Sequence, residues 1–207
     1  KSGKYSSTIP TDAITVVGVP NPTRGDAYLP VTVPVTAIGA LVPFPVSNTN
    51  IGKLLGGGIV VAEWDENGVK KALIASLTTL GNVALVPNPL CLNLIPGAAY
   101  SYSDGFTNTN ELILATGAPA DLTYAAGIAR LHNGGGYNDW FLPAKNQLNC
   151  LYQNKTAIGI FDPGGYWSST QTTASAAWLQ VFATGQQSAG ANTDTLAYIR
   201  CVRNLAS

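Results

Sequence analysis

The sequence predicts an α+β protein in which two helices accompany antiparallel strands, behind a proline-rich N-terminal arm. Segment 59–76 has the pattern of a β-hairpin, and segment 121–154 carries apolar residues at helical spacing. From Gly165 onward the pattern is again that of strands. These observations place both kinds of secondary structure in one chain of 207 residues.

Residues 1–50 differ in composition from the remainder of the chain. They hold seven of the 13 prolines, and segments 14–19 and 31–35 are rich in β-branched residues. Because proline cannot donate a hydrogen bond to a sheet, such segments favour edge strands or an extended arm. We expect either an arm that lies on the following domain, on a neighbouring subunit as in strand donation, or on both, or a small β subdomain of the same chain. The second domain is predicted to span 51–207.

The second domain is predicted to begin with a hairpin. Its strands lie at 59–64 and 71–76, joined by Asp65-Glu66-Asn67-Gly68, whose Asn-Gly pair supplies the positive φ of a tight turn. The glycine triplet at 56–58 is not a phosphate loop, because neither a Lys-Ser/Thr pair nor a helix follows it.

Two helices are predicted next, after a loop at 81–108 and a helical turn at 110–116. The first spans 121–132 and stops at a run of glycines. The second begins at Pro143, a residue favoured in the first turn of a helix, and continues to about residue 154. The apolar face of the first helix is expected to consist of Leu122, Ala125, Ala126, Ile128 and Ala129.

Three further strands are predicted at 166–169, 177–182 and 197–202. The segments between them, 170–175 and 184–195, are polar and are predicted to be loops.

The overall charge excludes one class of partner. Charged residues make up only 11% of the chain, and eleven basic residues balance eleven acidic ones. Without a basic field the chain is not expected to bind nucleic acid. Low charge favours self-association, which suits an extracellular assembly. No stretch reaches the roughly 18 apolar residues of a membrane span, so none is predicted.

Three of the four tryptophans lie in the C-terminal part of the chain, in or near predicted strands and turns. Aromatic faces can stack on sugar rings, but a Trp inside a strand or before Leu-Pro usually fills the core and satisfies its indole N–H. We expect this core role for Trp140 and Trp167. Trp178 is kept as a candidate for both the core and a binding surface.

No group of residues predicts catalysis. The pair Ser168-Ser169 lacks a glycine elbow, and the sole histidine, His132, ends a distant helix, where it interacts with the helix dipole. Asp139 is expected to cap its glycine-rich loop or to pair with Arg200 or Arg203. The protein is therefore predicted not to be an enzyme.

The cysteines leave two alternatives open. Cys91, Cys150 and Cys201 are an odd number, which permits at most one internal bridge. They are either buried, inert thiols or include a bridge from Cys150 to one of the other two. Cys150 lies between two leucines of a predicted helix, a position for packing rather than for reactivity.

No cofactor is predicted. No cluster of His, Cys and Asp has the spacing of a zinc site. Loop carboxylates and amides can bind calcium, so a calcium site remains an alternative. The scattered acidic residues that this alternative would use are Asp104, Asp121, Asp162 and Asp194.

The C-terminal part carries motifs in a recognisable order. They are Gly135-Gly136-Tyr137-Asn138-Asp139-Trp140-Phe141-Leu142-Pro143, a helix with Gln147-Leu148, Tyr166-Trp167-Ser168-Ser169-Thr170, Ala177-Trp178, and Tyr198-Ile199-Arg200-Cys201-Val202-Arg203. Together with the opening hairpin they resemble the C-terminal domain family of the Legionella collagen-like adhesin over roughly 51–205. Gln147 stands where that family usually has Glu, and Ile199 and Cys201 vary its closing strand.

The resemblance implies a C-type-lectin-like fold, related to that of the formylglycine-generating enzyme, with two helices and antiparallel sheets. It also implies that the N- and C-terminal strands of the domain lie close together. Known relatives include adhesins that bind glycosaminoglycans. We therefore expect a non-enzymatic, adhesin-like binding module on an extracellular, cell or virion surface. Its partners are expected to be glycans, host surface proteins or copies of itself.

The alternative is a structural subunit of a pilus-like filament, or a virion shell or decoration protein, that polymerises through the N-terminal arm. For the adhesin, the candidate ligand-binding residues lie in or beside the polar loops between the last strands, because uncharged polar side chains hydrogen-bond adaptably. These candidates are Gln171, Thr172, Thr173, Ser175, Trp178, Gln186, Gln187, Asn192 and Asp194.

Overall fold

The computed structural model describes residues 13–16, 31–34, 50–86, 99–116, 120–191 and 195–206. The chain divides into two compact units, Lys1–Val46 and Ser47–Ser207. In the first unit, strand β1 (Ala13–Val16) pairs antiparallel with strand β2 (Val31–Pro34). Both strands overlap the β-branched segments singled out in the sequence.

A four-stranded antiparallel sheet opens and closes the second unit. It contains β3 (Leu54–Leu55), β4 (Gly58–Glu66), β5 (Val69–Ala75) and β11 (Val202–Ala206), in the order β11-β5-β4-β3. The C-terminal strand thus lies beside the opening hairpin. The hairpin turn forms as predicted, with positive φ at Asn67 and Gly68.

A five-stranded sheet makes up the other layer. Its strands are β6 (Asn82–Val83), β7 (Gly165–Thr173), β8 (Ala176–Val181), β9 (Gln187–Ala191) and β10 (Ala197–Tyr198), in the order β6-β10-β7-β8-β9. Strand β10 pairs with β7 in parallel and the other neighbours are antiparallel. The sheet is therefore mostly antiparallel, as predicted, with one parallel pair that the sequence did not indicate.

Four helices lie between these strands in the described part of the chain. They are α1 (Gly105–Thr116), α2 (Ala125–Leu131), α3 (Lys145–Gln153) and α4 (Lys155–Ile158), and a short 3₁₀ turn occupies Gly134–Gly136. The predicted α+β class is confirmed, but the prediction of two helices is too low. No helix among the described residues is long and apolar enough to cross a membrane.

Helix α2 begins later than the sequence pattern suggested. Asp121 Oδ1 accepts hydrogen bonds from the backbone N–H and the hydroxyl of Thr123, at 2.7 and 2.5 Å. This Asx turn competes with helix formation and delays the first helical residue to Ala125. Leu122, assigned to the apolar face, is 70% exposed for the same reason.

The two polar segments assigned to loops contain strands instead. Strand β7 continues through 170–173, where a tight turn leads into β8, and β9 occupies 187–191. Gln171 and Gln180 are buried, so amide side chains lie in this sheet where apolar residues would otherwise be expected. Sequence patterns built on apolar alternation do not detect strands of this kind.

Two apolar clusters form the core of the second unit. One contains Trp140 and Trp167, and the other contains Phe141, Tyr166 and Phe182. Both tryptophans have no exposed surface, and their indole N–H groups donate to carbonyl oxygens, Trp140 to Gly134 at 3.2 Å and Trp167 to Val83 at 2.9 Å. The predicted core role of these two residues is confirmed.

Candidate binding surface around Trp178

The sequence raised Ser168, Ser169 and His132 as possible catalytic groups. The Ser168 hydroxyl is buried and donates to the carbonyl of Trp178 at 2.9 Å. The Ser169 hydroxyl is buried without a hydrogen-bond partner. His132 is the partly buried C-cap residue of α2, its ring makes an edge contact with Trp140 at a centroid distance of 5.0 Å, and burial lowers its pKa. The two serines are therefore shielded from solvent, and His132 packs on a core tryptophan.

Asp139 and Arg203 form a bidentate ion pair. Arg203 Nε donates to Asp139 Oδ1 at 2.6 Å and Nη2 donates to Oδ2 at 2.8 Å, while Nη1 donates to the carbonyl of Gly56 at 3.0 Å. The hydrogen bonds from Arg203 lower the pKa of Asp139. Of the two partners considered for Asp139, the structure selects Arg203. The pair ties the 133–140 segment to strand β11 and to the glycine triplet.

The described cysteines are free thiols. Cys201 is fully buried and Cys150 is partly buried, and burial raises the pKa of both. The inert-thiol alternative therefore holds for these two residues, and a bridge from Cys150 is absent. Cys91 lies outside the described residues.

Trp178 differs from the two core tryptophans. It lies on strand β8 and is only partly buried, and no hydrogen bond from its indole nitrogen forms within the described part of the chain. The ammonium of Lys145 lies over its ring, with Nζ 3.3 Å from the ring centroid, and is 5.2 Å from the centroid of Tyr102. Tyr102 is 51% exposed. We call Tyr102, Lys145 and Trp178 the aromatic surface.

A buried polar network joins the segments that carry Lys145 and Tyr102. The hydroxyl of Thr170 accepts the backbone N–H of Lys145 at 2.9 Å and donates to the carbonyl of Ser101 at 2.7 Å. The Asn108 amide donates to the same carbonyl at 2.7 Å and accepts the N–H of Ser101 at 3.1 Å. Strand β7 thereby fixes both the start of α3 and the loop that carries Tyr102.

Gln147 contributes to the same framework. Its Oε1 accepts the N–H groups of Ala144 at 2.9 Å and Gly105 at 3.2 Å, which lie at the N-termini of α3 and α1. An amide oxygen therefore satisfies two N–H groups that a helix start leaves open. Gln147 stands where the family that the sequence resembles usually has Glu, and its amide keeps the oxygen acceptor that the two helix starts require.

Lys145 has no acidic partner among the described residues. The salt bridges in this part of the chain are Lys71–Glu66 and Arg203–Asp139. A cation at the start of a helix also faces the positive end of the helix dipole, which is an unfavourable position. The ammonium is retained there by its contacts with two aromatic rings, which are worth about 0.5–2 kcal/mol in such arrangements.

The predicted site residues do not form one exposed group. Gln171 is buried at 4% exposure, with its amide donating to the carbonyl of Ala174 at 3.5 Å, so its assignment as an exposed ligand-binding residue is wrong. Thr172 is partly buried and donates to the carbonyl of Ala176 at 3.1 Å. Thr173 and Ser175 are exposed at the β7–β8 turn.

The second predicted loop contributes one residue next to the aromatic surface. Gln187 Nε2 lies 3.4 Å from the carbonyl oxygen of Lys145 and donates to it. Gln186 is exposed, and Asn192 and Asp194 lie outside the described residues. Sequence reasoning selected Trp178 and Gln187 but missed Tyr102 and Lys145. The signal that could have found Lys145 is its charge at a helix N-terminus.

The acidic residues considered for calcium are used locally where they are described. Asp104 accepts from the backbone and hydroxyl of Thr107, Asp121 accepts from Thr123, and Asp162 Oδ2 accepts the Tyr166 hydroxyl at 3.3 Å. Among the described residues, no group of three or more His, Cys, Asp or Glu side chains could hold a metal ion. Asp194 lies outside them.

Comparisons with known proteins find similarity to solved structures alone. No family model matches the chain, and no curated protein matches it. The crystal structure of a fimbrial protein from Bacteroides ovatus is similar at 14% sequence identity and a TM-score of 0.42. The match covers 63% of this chain and 35% of that one, so this chain spans about a third of the neighbour's length.

Proposed function

We propose that the protein is a non-enzymatic binding module of an extracellular surface, which binds an acidic glycan at the aromatic surface. The observation that carries the proposal is the contact of one ammonium, Lys145 Nζ, with the partly exposed rings of Trp178 and Tyr102. The ammonium lacks an acidic partner in the described part of the chain. It is therefore free to receive an acid group from outside.

An acidic sugar matches both parts of this surface. Its carboxylate or sulfate would pair with Lys145, as a charge-assisted hydrogen bond. Its C–H faces would contact the aromatic rings, which provide large, rigid contact areas. Gln187 and the exposed Thr173 and Ser175 are polar neighbours of the kind that adapt to hydroxyl groups. Because Thr170 and Asn108 already order the backbone, little conformational entropy would be lost on binding.

The absence of catalysis is part of the proposal. Ser168 and Cys201 are buried, and burial raises the pKa of the Cys201 thiol, so neither supplies an accessible nucleophile. We also infer kinship with the Legionella adhesin domain family. The position of β11 beside the opening hairpin supports this kinship, because that arrangement was expected from the motifs.

Binding to acidic and neutral glycans, measured by array and then by calorimetry, tests the proposal. We expect Trp178→Ala and Lys145→Ala each to weaken the binding of an acidic glycan about tenfold, which corresponds to about 1.4 kcal/mol. Trp64→Ala is the matched control, because Trp64 is also partly buried but lies on β4 in the other sheet. Equal affinities for the Trp178→Ala variant and the wild type would contradict the proposal.

A structural subunit of a filament or virion shell is the second candidate. It is favoured by the division of the chain, since residues 1–46 form a compact unit of their own that includes an antiparallel strand pair. Electron microscopy of the purified full chain, compared with a chain that lacks residues 1–46, tests it. Polymers that form only with residues 1–46 support this candidate, and a full chain that stays monomeric at high concentration opposes it.

A further inference from the structure

Arg200 is a buried guanidinium with unused hydrogen-bond donors. It is 1% exposed and lies between strands β10 and β11. Nη1 donates to the carbonyl of Ile160 at 3.1 Å, whereas Nε and Nη2 have no hydrogen-bond partner. The ring of Phe161 contacts the guanidinium, with its centroid 4.5 Å from Cζ. None of the described salt bridges includes Arg200.

The two unused donors belong to the same edge of the guanidinium. Nε and Nη2 form the side-on fork that matches the two oxygens of a carboxylate. Arg203 uses this same pair of atoms to bind Asp139, at 2.6 and 2.8 Å. Three residues apart in one chain, one arginine has its fork filled by a carboxylate and the other has its fork open.

An open fork in the interior is energetically costly. A buried charge is normally paired, and each buried donor left without a partner is destabilising. Burial lowers the pKa of Arg200, but arginine remains protonated at neutral pH. The positive charge is therefore present, and it favours an anionic partner.

A cleft of about 300 Å³ is connected to Arg200 through one residue, Phe161. Phe161 belongs to both places, because its ring lines the cleft and also contacts the guanidinium. Phe182 supplies a second aromatic wall, and Lys155 places a positive charge at the cleft. The segment between α4 and β7 carries Phe161 and presents Ile160 with 93% of its surface exposed. Its first residue, Gly159, has a φ of 114°, which side-chain-bearing residues rarely adopt.

We propose that Arg200 and this cleft form a binding site for a carboxylate attached to an apolar body. The carboxylate occupies the Nε–Nη2 fork of Arg200, and the apolar body lies against Phe161 and Phe182. Entry requires that the ring of Phe161 moves off the guanidinium. This site is distinct from the aromatic surface, since none of its residues belongs to that surface, and the proposal does not depend on glycan binding.

Asp162 sets a limit on this site. It lines the cleft, and its Oδ2 accepts the Tyr166 hydroxyl at 3.3 Å. As a like charge it opposes the entry of a carboxylate. Removing its charge should therefore strengthen binding, which is an effect that a purely structural role of Arg200 does not produce.

The experiment uses phenylacetate as the probe and phenylacetamide as its neutral counterpart, added to the ¹⁵N-labelled full chain. We expect a saturable shift of the Arg200 Nε–H signal with phenylacetate and no such shift with phenylacetamide. The Nε–H of Arg203 serves as an internal control, because its fork is already filled. D-glucuronate, a carboxylate on a polar sugar, distinguishes the apolar body from a sugar ring and should bind more weakly.

Two variants complete the test. Arg200→Lys retains the charge but loses the fork, and should weaken phenylacetate binding about tenfold or more. Asp162→Asn should strengthen it severalfold, and keeps the test decisive if the Arg200 variant does not fold. The proposal is overturned if phenylacetate gives no saturable shift, if phenylacetamide binds equally, if glucuronate binds more tightly, or if Asp162→Asn leaves the affinity unchanged.

Discussion

Replacing Asp139 by alanine would leave the Arg203 fork without a carboxylate, and the cost can be worked out from the exposure of each partner. Breaking a fully buried ion pair from one side costs about 3–5 kcal/mol. The Arg203 side chain is 6% exposed, but that of Asp139 is 44% exposed, so water reaches part of the site. Arg203 also keeps its hydrogen bond to Gly56 and its contact with the Tyr137 ring. We therefore expect a loss of about 2 kcal/mol in the free energy of unfolding.

The pH dependence of this loss has a definite sign. The hydrogen bonds from Arg203 lower the pKa of Asp139, because they favour the charged carboxylate. A lowered pKa contributes stability that is present above the unfolded-state pKa, about 3.9, and that disappears as the pH falls through the folded-state value. The difference between wild type and Asp139→Ala should be complete at pH 7 and should shrink in acid below about pH 4.

Urea unfolding at pH 7 and at pH 3 measures both effects, and thermal unfolding should show a decrease of about 4–8 °C in Tm at pH 7. Glu66→Ala, which removes the exposed pair with Lys71, is the control and should cost less than about 1 kcal/mol. The reasoning is refuted if Asp139→Ala is as stable as the wild type at pH 7. It is also refuted if the difference persists unchanged at pH 3.

Two further outcomes follow from close approach and from burial. Gly135→Ala should strongly lower the free energy of unfolding, because φ is +66° and an added Cβ would lie 2.2 Å from the Cα of Gly57. At Gly136, φ is +80° but an added Cβ would meet no atom within 4 Å, so Gly136→Ala should cost only about 1 kcal/mol. Comparing the melting temperatures of the two variants separates the close contact at Gly135 from the backbone strain that both positions share. Equal decreases in melting temperature would show that the contact with Gly57 has no effect. Cys201 should resist alkylation in the native state, because it is fully buried, and Cys150 should react faster. Timed labelling followed by peptide-resolved mass spectrometry measures both rates. Faster labelling of Cys201 than of Cys150 would contradict its burial.

Much of the fold could be predicted where local chemistry and burial agree. The turn at Asn67-Gly68 adopts the positive φ that its residues permit, and α3 starts two residues after Pro143. Helix α1 was predicted only as a turn at 110–116, because the face it buries includes polar residues. Asn108 and Thr109 are buried there, held by hydrogen bonds that no periodicity of apolar residues reveals.

The candidate site shows the same division between local and long-range information. Trp178 could be selected from the sequence because aromatic residues are the usual contacts for sugars. Tyr102 and Lys145 lie far from it in the chain. The buried hydroxyl of Thr170 joins the 99–104 segment to α3 through two hydrogen bonds, and the N–H of Asn146 also donates to the carbonyl of Tyr102 at 2.9 Å. Long-range hydrogen bonds of this kind leave no pattern in the sequence.

From the sequence, Arg200 and Arg203 were equally possible partners for Asp139. The backbone pairing between two distant segments determines which of them forms the ion pair. Phe141 and Val202 exchange backbone hydrogen bonds at 2.8 and 2.9 Å, which aligns the 139–141 segment antiparallel to the start of β11. In this antiparallel arrangement Asp139 lies on the same side of the bridge as Arg203. Arg200 lies on the other side of Val202, where it contacts Ile160 and Phe161. The same pairing that fills one fork thus leaves the other open, and this open fork is where the proposed ligand carboxylate would bind.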